Sequence, residues 1–201
     1  MMIEHRGAKP RLGKDVYVAP NATISGDVEI GAGSCVLYGA VVTAEGGPVR
    51  IGRNCVVMEN AVLRGTPGAA LTLGDNVLVG PRAYLTGCTV GDNAFIATGA
   101  AVFNQATIGA GAEVRINGVV HLKTRLPDGE TVPIGWVAVG DPARILPPER
   151  HDEIWAIQKT LDFPKTVFGM DRPPPGGTIM PEAMRRYTAA LRRHLKDQPA
   201  D

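Results

Sequence analysis

Residues 18–42 read VAPNATISGDVEIGAGSCVLYGAVV, and an aliphatic residue returns at every sixth position of this stretch. The same period resumes at Ile51 after a nine-residue skip and at Leu73 after a ten-residue skip. One five-residue step leads to Val90, from which the sixes run on to Val120. In total, seventeen aliphatic positions keep this register, and most are followed four residues later by a small or β-branched residue. The chain is therefore built on a repeat.

The period of six decides the fold class. An amphipathic helix repeats near 3.6 residues and a half-buried strand repeats at 2. Short strands joined by tight corners fit instead, and hexapeptide repeats are a signature of the parallel β-helix. At three hexapeptides per coil, the seventeen positions predict nearly six coils, which at roughly 4.8 Å per strand make a prism about 27 Å long. We therefore predict an all-β parallel β-helix followed by C-terminal α-helices.

The composition excludes several classes of protein. A hydrophobic fraction of 44% and a net charge of +1 argue against a disordered, charge-extended chain. With 21 basic and 20 acidic residues, no global field favours nucleic acid or an anionic membrane. No stretch has the length and apolarity of a membrane span, and the N-terminus lacks a secretory signal. We expect a cytoplasmic protein with neither a nucleic-acid nor a membrane partner.

The phase skips and the prolines divide the chain into units. Residues 44–50 and 65–72 are extra to the period, so we expect them to project as loops, where function tends to sit. Of the 16 prolines, 11 follow Val120, so the pattern changes there. The predicted units are an N-terminal capping segment (1–17), the β-helix (18–146), a helix packed on the prism (147–163), a proline-rich arm (164–181) and a basic amphipathic helix (182–201).

One outward column of side chains is a candidate ligand site. Aliphatic positions that are three hexapeptides apart share a face of the prism, and the residues that follow them should stack on its outer side. This predicted column consists of Ser25, Thr43, Arg64, Thr86, Phe103 and His121. It places a guanidinium between two hydroxyls, with an aromatic ring and an imidazole towards the far end. His5, His151 and His194 are scattered in or near the terminal segments, so the sequence predicts no metal cluster from them.

Three motifs carry a resemblance to a known family: Val36-Leu37-Tyr38-Gly39-Ala40-Val41-Val42, Gly87-Cys88-Thr89-Val90-Gly91 and Val139-Gly140-Asp141-Pro142-Ala143-Arg144. Over roughly residues 10–160 the chain resembles the γ-class carbonic anhydrases and their acyltransferase relatives. The resemblance implies a left-handed coil and a homotrimer. It also implies a C-terminal helix along the prism and metal sites in the clefts between subunits.

The zinc site of that family does not carry over to this chain. The family's Arg-Gly-Asp falls on Thr43-Ala44-Glu45, and its Asn-Ile-Gln-Asp falls on Val56-Val57-Met58-Glu59. The three zinc histidines fall on Arg64, in the segment Gly80-Pro81-Arg82, and on Thr86. Arginine is a permanent cation with no lone pair to offer, whereas zinc needs imidazole, thiolate or carboxylate ligands. We therefore expect no zinc, no other obligatory cofactor, and no carbonic anhydrase activity by the family mechanism.

The first functional hypothesis is a small anionic or acyl ligand bound at the subunit interface. Arg64 would hold the anion bidentately, Thr43 and Thr86 would donate hydrogen bonds, and Phe103 would line the site. Glu45 or Glu59 would act as the base. The alternative is that Arg64 simply pairs with one of these glutamates across the interface.

Two further hypotheses remain open, and with them the question of whether the protein is an enzyme. In one, the chain is a hexapeptide acyltransferase, with acyl-CoA in the cleft and His121 as the general base. In the other, it is a non-catalytic scaffold or accessory subunit, and the C-terminal arm docks a protein partner. The predicted last helix would serve that docking, because it places Met184, Tyr187, Leu191 and Leu195 on one face and Arg185, Arg186, Arg192 and Arg193 on the other.

Overall fold

The sixfold period forms short strands joined by tight corners in the computed structural model, which describes residues 1–200. In chain order the strands are β1 (Met2–Glu4), β2 (Arg11–Leu12), β3 (Tyr17–Val18), β4 (Thr23–Ser25), β5 (Val28–Ile30), β6 (Cys35–Val36), β7 (Val41–Ala44), β8 (Val49–Ile51), β9 (Val56–Val57), β10 (Val62–Gly65), β11 (Leu71–Leu73), β12 (Leu78–Val79), β13 (Tyr84–Thr86), β14 (Thr89–Val90), β15 (Phe95–Ile96), β16 (Ala101–Val102), β17 (Thr107–Ile108), β18 (Glu113–Val114), β19 (Val119–Val120), β20 (Arg125–Leu126), β21 (Thr131–Val132), β22 (Val137–Val139), β23 (Arg144–Leu146) and β24 (Gln198–Pro199).

The strands form three parallel sheets that wrap around one core. The first sheet has the order β23-β22-β19-β16-β13-β10-β7-β4-β1-β24, and only its two end strands, β23 and β24, run antiparallel to their neighbours. The second sheet is β2-β5-β8-β11-β14-β17-β20, and the third is β21-β18-β15-β12-β9-β6-β3. This parallel β-helix of about eight turns confirms the predicted fold class and is consistent with a left-handed coil.

The coil is longer than the nearly six turns that the strict repeat predicts. At its start, β1 pairs in parallel with β4, and β2 pairs with β5, so residues before the first registered position form a turn of the helix. At its end, β20, β21 and β22 continue all three sheets beyond Val120. The coil continues there because Leu126, Val132 and Ala138 keep the six-residue spacing and remain buried in the core, although the residues between them no longer follow the pattern.

The registered aliphatic side chains form the core. Ile24, Val42, Leu63 and Leu85 stack on the inner side of the first sheet and are fully buried. The small residues four positions later, such as Ala61, are also buried, because they lie where the corner closes. Many corners have a residue with positive φ, most often glycine or asparagine, which are residue types that adopt this backbone readily, although Arg82, Gln105 and Lys123 do so as well.

The two phase skips form the loops 45–48 and 66–70, between β7 and β8 and between β10 and β11. They lie side by side, because an added Cβ at Gly47 would clash with the carbonyl oxygen of Thr66, and one at Gly65 with that of Gly47. Glycine is therefore required at both positions for the close approach of the two backbones. The loops lie between the first and second sheets, at the positions of the two phase skips.

The C-terminal part contains three α-helices and folds back onto the β-helix. They are α1 (His151–Gln158), α2 (Phe163–Phe168) and α3 (Met180–Leu191), with 3-10 turns at Pro148–Arg150, Lys159–Leu161 and Arg192–Lys196. The stretch expected to be a proline-rich arm thus contains α2, which has Pro164 in its first turn, where a proline is tolerated. No helix among residues 1–200 is long and apolar enough to cross a lipid bilayer.

Residues 180–200, here called the terminal segment, close the first turn of the coil. Strand β24 pairs antiparallel with β1, joining Glu4 to Gln198 and Ile3 to Pro199. In α3 the buried residue is Ala183, whereas Leu195 of the predicted apolar face is 86% exposed. Tyr187 of the predicted face lies four residues after Ala183 and contacts Arg64 of the coil, so the side of the helix that packs on the coil matches the predicted face only in part.

Candidate functional site

The register of the first sheet confirms the predicted column. Ser25 pairs with Thr43, Thr43 with Arg64, and Arg64 with Thr86. Phe103 and His121 follow strands β16 and β19, which extend the same ladder. We call these six residues the Arg64 column. The terminal segment and the loop 45–48 both reach its middle, so it is more enclosed than an ordinary outer face.

Arg64 is engaged within its own chain. Its Nη2 donates a 2.7 Å hydrogen bond to the hydroxyl of Tyr187 in α3 and lies 3.8 Å from Glu45 Oε2. The guanidinium carbon is 5.8 Å from the centre of the Tyr187 ring, a cation–π distance. The predicted pairing of Arg64 with Glu45 is thus present inside one subunit, and Tyr187 is a partner that the sequence did not reveal.

Glu45 belongs to a second, denser cluster. Its Oε2 accepts a 2.6 Å hydrogen bond from His194 Nε2. His194 Nδ1 lies 2.7 Å from Asp197 Oδ2, and His5 Nδ1 lies 2.6 Å from Asp197 Oδ1. The two imidazole rings stack with centroids 4.3 Å apart and an interplanar angle of 24°. Glu45, one of the two bases proposed from the sequence, is therefore hydrogen-bonded to the terminal segment.

The titration of this cluster follows its hydrogen bonds. The hydrogen bond to Asp197 raises the pKa of His194, and the Glu45 carboxylate adds to this effect against the opposing cost of burial. Burial favours the neutral form of Asp197, yet the hydrogen bonds from His194 and His5 prevail and lower the pKa of Asp197. The cluster thus favours the ionised form of Asp197 and the protonated form of His194.

The remaining polar candidates surround Arg64 unevenly. Thr86 is buried directly beside it in the ladder, and Thr43 is half-buried on the other side. Glu59 lies in the corner between β9 and β10. Within residues 1–200, its side chain makes no ion pair or hydrogen bond with Arg64. Of the two glutamates considered as bases, the structure brings only Glu45 to the guanidinium.

The far end of the column is aromatic. The Phe103 ring lies 6.2 Å from the His121 ring and 6.3 Å from that of Tyr84, centroid to centroid. Burial lowers the pKa of His121, so the imidazole is neutral near pH 7. His121 is three strands away from Arg64, which corresponds to about 14 Å at roughly 4.8 Å per strand. The structure therefore does not join His121 to the guanidinium or to Glu45.

Buried polar atoms without partners concentrate on this column. Among the described residues, Ser25 Oγ, Arg64 Nε, His121 Nδ1 and Asp162 Oδ1 are buried with no hydrogen-bond partner. Three of these four atoms belong to the Arg64 column. Buried polar groups are nearly always hydrogen-bonded in native proteins, so the column is suited to receive polar groups from outside the chain.

The positions that hold zinc in the γ-class carbonic anhydrases do not fit a metal here. Arg64 and Thr86 are ladder neighbours, so the first and third of those positions do meet, as the resemblance implies. They present a cation and a hydroxyl, however, and Pro81 offers no side-chain donor atom. No thiolate replaces them, since burial raises the pKa of Cys88 to about 12. This site cannot supply the ligands that zinc requires.

Two cavities on the surface of the coil differ in their relation to the predicted site residues. The larger, of about 550 Å³, is lined by Arg125, Asp128 and Asp141 and contains none of the predicted site residues. The smaller, of about 270 Å³, is lined by His5, Ala44 and residues of the 45–48 loop. It borders the second cluster and gives solvent a route towards His5.

Sequence reasoning missed the meeting of His5 and His194. His151, the third scattered histidine, stays on the surface with its side chain 80% exposed. Nothing in the hexapeptide period predicts where the terminal segment returns to the coil. The spacing of His194 and Asp197, three residues apart near the C-terminus, is the one local signal that links two members of the cluster.

Comparison with known proteins supports the fold and the resemblance. Residues 9–44 match the family described as bacterial transferase hexapeptide (six repeats). The chain is 34% identical over 157 residues to the mitochondrial γ carbonic anhydrase 2 of Arabidopsis thaliana, covering 75% of this chain and 54% of that protein. It thus spans about half the length of this relative. The repeat and the coil define a hexapeptide-repeat protein.

Two solved structures extend this comparison. A putative acetyltransferase of Bacillus cereus is 25% identical with a TM-score of 0.51, covering 78% of this chain and 90% of that one. The acetyltransferase domain of PglB from Neisseria gonorrhoeae, solved with acetyl coenzyme A, is 29% identical with a TM-score of 0.50, covering 65% of this chain and 57% of that one. Because of its identity to the Arabidopsis protein, the chain is, within the hexapeptide-repeat class, a γ-carbonic-anhydrase-like protein.

Proposed function

We propose that this γ-carbonic-anhydrase-like protein has lost the family zinc site, and that the Arg64 column binds a small carboxylate or acyl anion. The observation that carries the proposal is the set of buried, unpartnered polar atoms along the column, with Arg64 Nε at its centre. Nε and Nη2 form one edge of the guanidinium, which is the geometry that receives a carboxylate bidentately. Because Nε has no accessible surface in this conformation, a carboxylate would accept from Nε and Nη2 after the Tyr187 side chain moves aside.

Electrostatics favour an anion over a metal at this place. The charge of Arg64 is permanent, and Glu45 offsets it only at 3.8 Å while also accepting a hydrogen bond from His194. Thr86 and Thr43 flank the guanidinium with hydroxyl donors. Carbon dioxide hydration by a zinc-bound hydroxide has no ligands to support it here, so the proposed activity is binding or transformation of the anion without that metal.

The proposal includes a homotrimer, and the faces of the prism support association. The outer side of the second sheet is charged, with Arg11, Glu29 and Arg50 in register. The outer side of the third sheet presents Val56, Leu78 and Phe95. Apolar surface of this kind is typical of interfaces between subunits, and a subunit packed there would place the first sheet beside a cleft.

The anion site is tested with acetate as the probe, in titrations of the wild-type chain, Arg64→Ala and Arg64→Lys. We expect Arg64→Ala to weaken binding at least tenfold and Arg64→Lys to recover part of it, because lysine keeps the charge without the bidentate edge. Unchanged acetate affinity in Arg64→Ala would refute the site. Zinc-dependent hydration of carbon dioxide that persists in His194→Ala would refute the loss of the carbonic anhydrase reaction.

The assembly is tested by measuring the mass of the particle in solution. We expect three chains per particle for the wild type and dissociation in Phe95→Glu, which puts a charge into the apolar face. Thr107→Glu is the matched control, because Thr107 lies on the outer side of the polar second sheet. A monomeric wild type would overturn the trimer and with it the position of the cleft between subunits.

A second candidate function is acyl transfer, and the state of His121 favours it. A half-buried imidazole that is neutral near pH 7 and has an unpartnered Nδ1 is suited to take a proton from an acceptor hydroxyl or amine. Calorimetric titration with acetyl-CoA decides between the candidates. Binding that is lost in His121→Ala and kept in Arg64→Ala would favour acyl transfer over the anion site.

A further inference from the structure

Three distant parts of the chain bring metal-ligating side chains together outside the Arg64 column. His5 follows strand β1, Glu45 lies in the loop after β7, and His194 lies in the 3-10 turn after α3. One ligand atom from each of the three lies within 4.8 Å of the others. His5 is 2% exposed and the Glu45 side chain 15%, whereas the His194 side chain is 36% exposed, so two of the three ligands are shielded and the third faces solvent.

Asp197 orients both imidazoles in the same sense. Its two carboxylate oxygens lie 2.6 Å from His5 Nδ1 and 2.7 Å from His194 Nδ1. When each Nδ1–H donates to this carboxylate, the lone pair of each neutral ring is left on Nε2. A histidine that donates its other nitrogen to a carboxylate is the usual arrangement around protein-bound metals. The two rings also stack, with centroids 4.3 Å apart and an interplanar angle of 24°.

We propose that His5, Glu45 and His194 form a binding site for a divalent transition-metal ion of the zinc type. Two imidazoles and one carboxylate suit ions of intermediate softness. Ligands at about 2.1 Å from a tetrahedral ion are roughly 3.4 Å apart, so small side-chain movements bring the three atoms into range. The ion replaces the proton between His194 Nε2 and Glu45 Oε2, and that proton is released to solvent.

The site has a route of entry for an ion, and the charge of Arg64 opposes metal binding there. The 270 Å³ cavity lined by His5 and Ala44 leads to the cluster. Arg64 lies 3.8 Å from Glu45 and repels a divalent ion, so its removal should strengthen metal binding. The ligand positions differ from those of the family's zinc site, which fall on Arg64, Pro81 and Thr86. The ion would serve to fasten the terminal segment.

Such an ion would join the two ends of the chain. It ties His194 of the terminal segment to His5 at the first turn of the coil and to the loop that borders Arg64. The same segment holds Tyr187 against Arg64 through the 2.7 Å hydrogen bond. Metal binding would therefore stabilise the cover over the Arg64 column, in addition to the pairing of β24 with β1.

The site is tested by titrating the full, tag-free chain with Zn²⁺ after dialysis against a chelator, and with Co²⁺ for its visible absorption. We expect one ion per chain, a d–d spectrum without a thiolate band, and release of protons that scales with binding. Glu45→Gln and His194→Ala should each weaken Zn²⁺ binding at least a hundredfold. Asp197→Asn should weaken it about ten- to a hundredfold, because it only orients the ligands.

The matched controls separate this site from adventitious binding. His151→Ala should leave the affinity unchanged, because that side chain is exposed and distant from the cluster. Arg64→Ala should raise the affinity for Zn²⁺ while weakening acetate binding at least tenfold, so the two proposals fail independently. Glu45→Gln preserves the shape of a partly buried residue, so the test remains valid even if His194→Ala does not fold.

Protection of the terminal segment gives a second readout. Trypsin should cut at Arg185, Arg186 and Arg192 several-fold more slowly with Zn²⁺ than with chelator, and the difference should vanish in His194→Ala. Absence of Zn²⁺ binding, binding unaffected by Glu45→Gln, or equal loss in His151→Ala would each overturn the proposal.

Discussion

Two faces of the same coil handle their charged side chains in opposite ways. On the second sheet, Arg50 lies 3.0 Å from Asp27 and 3.4 Å from Glu29, and Arg11 donates a 3.0 Å hydrogen bond to Glu29. Each charge there finds its partner on the same turn or the next. On the first sheet, Arg64 finds Tyr187, which is 123 residues away in sequence.

This contrast shows which face is complete within the repeat. A ladder of neighbouring turns can satisfy charges that alternate in sign, as the lowered pKa of Asp27 beside Arg50 shows. The Arg64 column contains a single cation among hydroxyls and rings, so its polar atoms need groups from outside the coil. The face that the repeat leaves unsatisfied is the one where the loops and the terminal segment gather.

The largest expected effect comes from the core that both faces share. Leu63→Ala should lower the free energy of unfolding by about 3 kcal/mol, because it removes a fully buried side chain and leaves a cavity. Urea unfolding measures the change. Leu63 lies one position before Arg64, so a small effect would mean that the column is supported by the terminal segment and not by the core.

Breaking the contacts of Arg64 should loosen the terminal segment and leave the second sheet unchanged. Arg64→Ala should reduce the free energy of opening of residues 180–196 by about 1–2 kcal/mol, because it removes the hydrogen bond to Tyr187 and the pairing with Glu45. Hydrogen exchange followed by mass spectrometry measures it. Equal loosening of β5 and β8 would contradict the separation of the two faces.

The two faces should also respond to acid over different ranges of pH. Burial lowers the pKa of His121 below 6.5, so as the pH falls the unfolded chain binds this proton first, and stability declines below about pH 6.5. The carboxylates of the second sheet, with lowered pKa values, lose their contribution only below about pH 4.

Urea midpoints from pH 8 to pH 5 test this difference. His121→Gln should remove the decline that is due to His121, and His151→Gln should retain it because His151 is exposed. Comparing the variants separates the effect of His121 on stability from that of His194. The raised pKa of His194 makes stability increase as the pH falls, which is the opposite dependence. An identical pH profile for the wild type and His121→Gln would show that the burial of His121 is relieved in solution.

The smallest effect is expected at the corner that follows β8 of the second sheet. Arg53 pairs with Asp75 at 2.6 Å, but its side chain is 71% exposed. Exposed ion pairs contribute little to stability, so Arg53→Ala should change the urea midpoint far less than Arg64→Ala. An effect as large as that of Arg64→Ala would remove the distinction between the faces.

Most of the coil and half of the site could be predicted from particular residues. The spacing of Ile24, Val42, Leu63 and Leu85 predicts both the inner ladder and the column beside it, because each turn templates the next. The same reasoning places Arg64 next to Thr86. It could not choose between Glu45 and Glu59 as the partner of Arg64, since both lie near corners and only the loop geometry distinguishes them.

The sequence by itself determined the β-helix, its corners and the positions of its two loops, because all of these follow from local register. Only the tertiary structure decided that His5 meets Asp197 across 192 residues and that Tyr187 covers Arg64. The physical reason is that a repeat specifies contacts between adjacent turns. The return of a non-repetitive tail depends on side chains that carry no period.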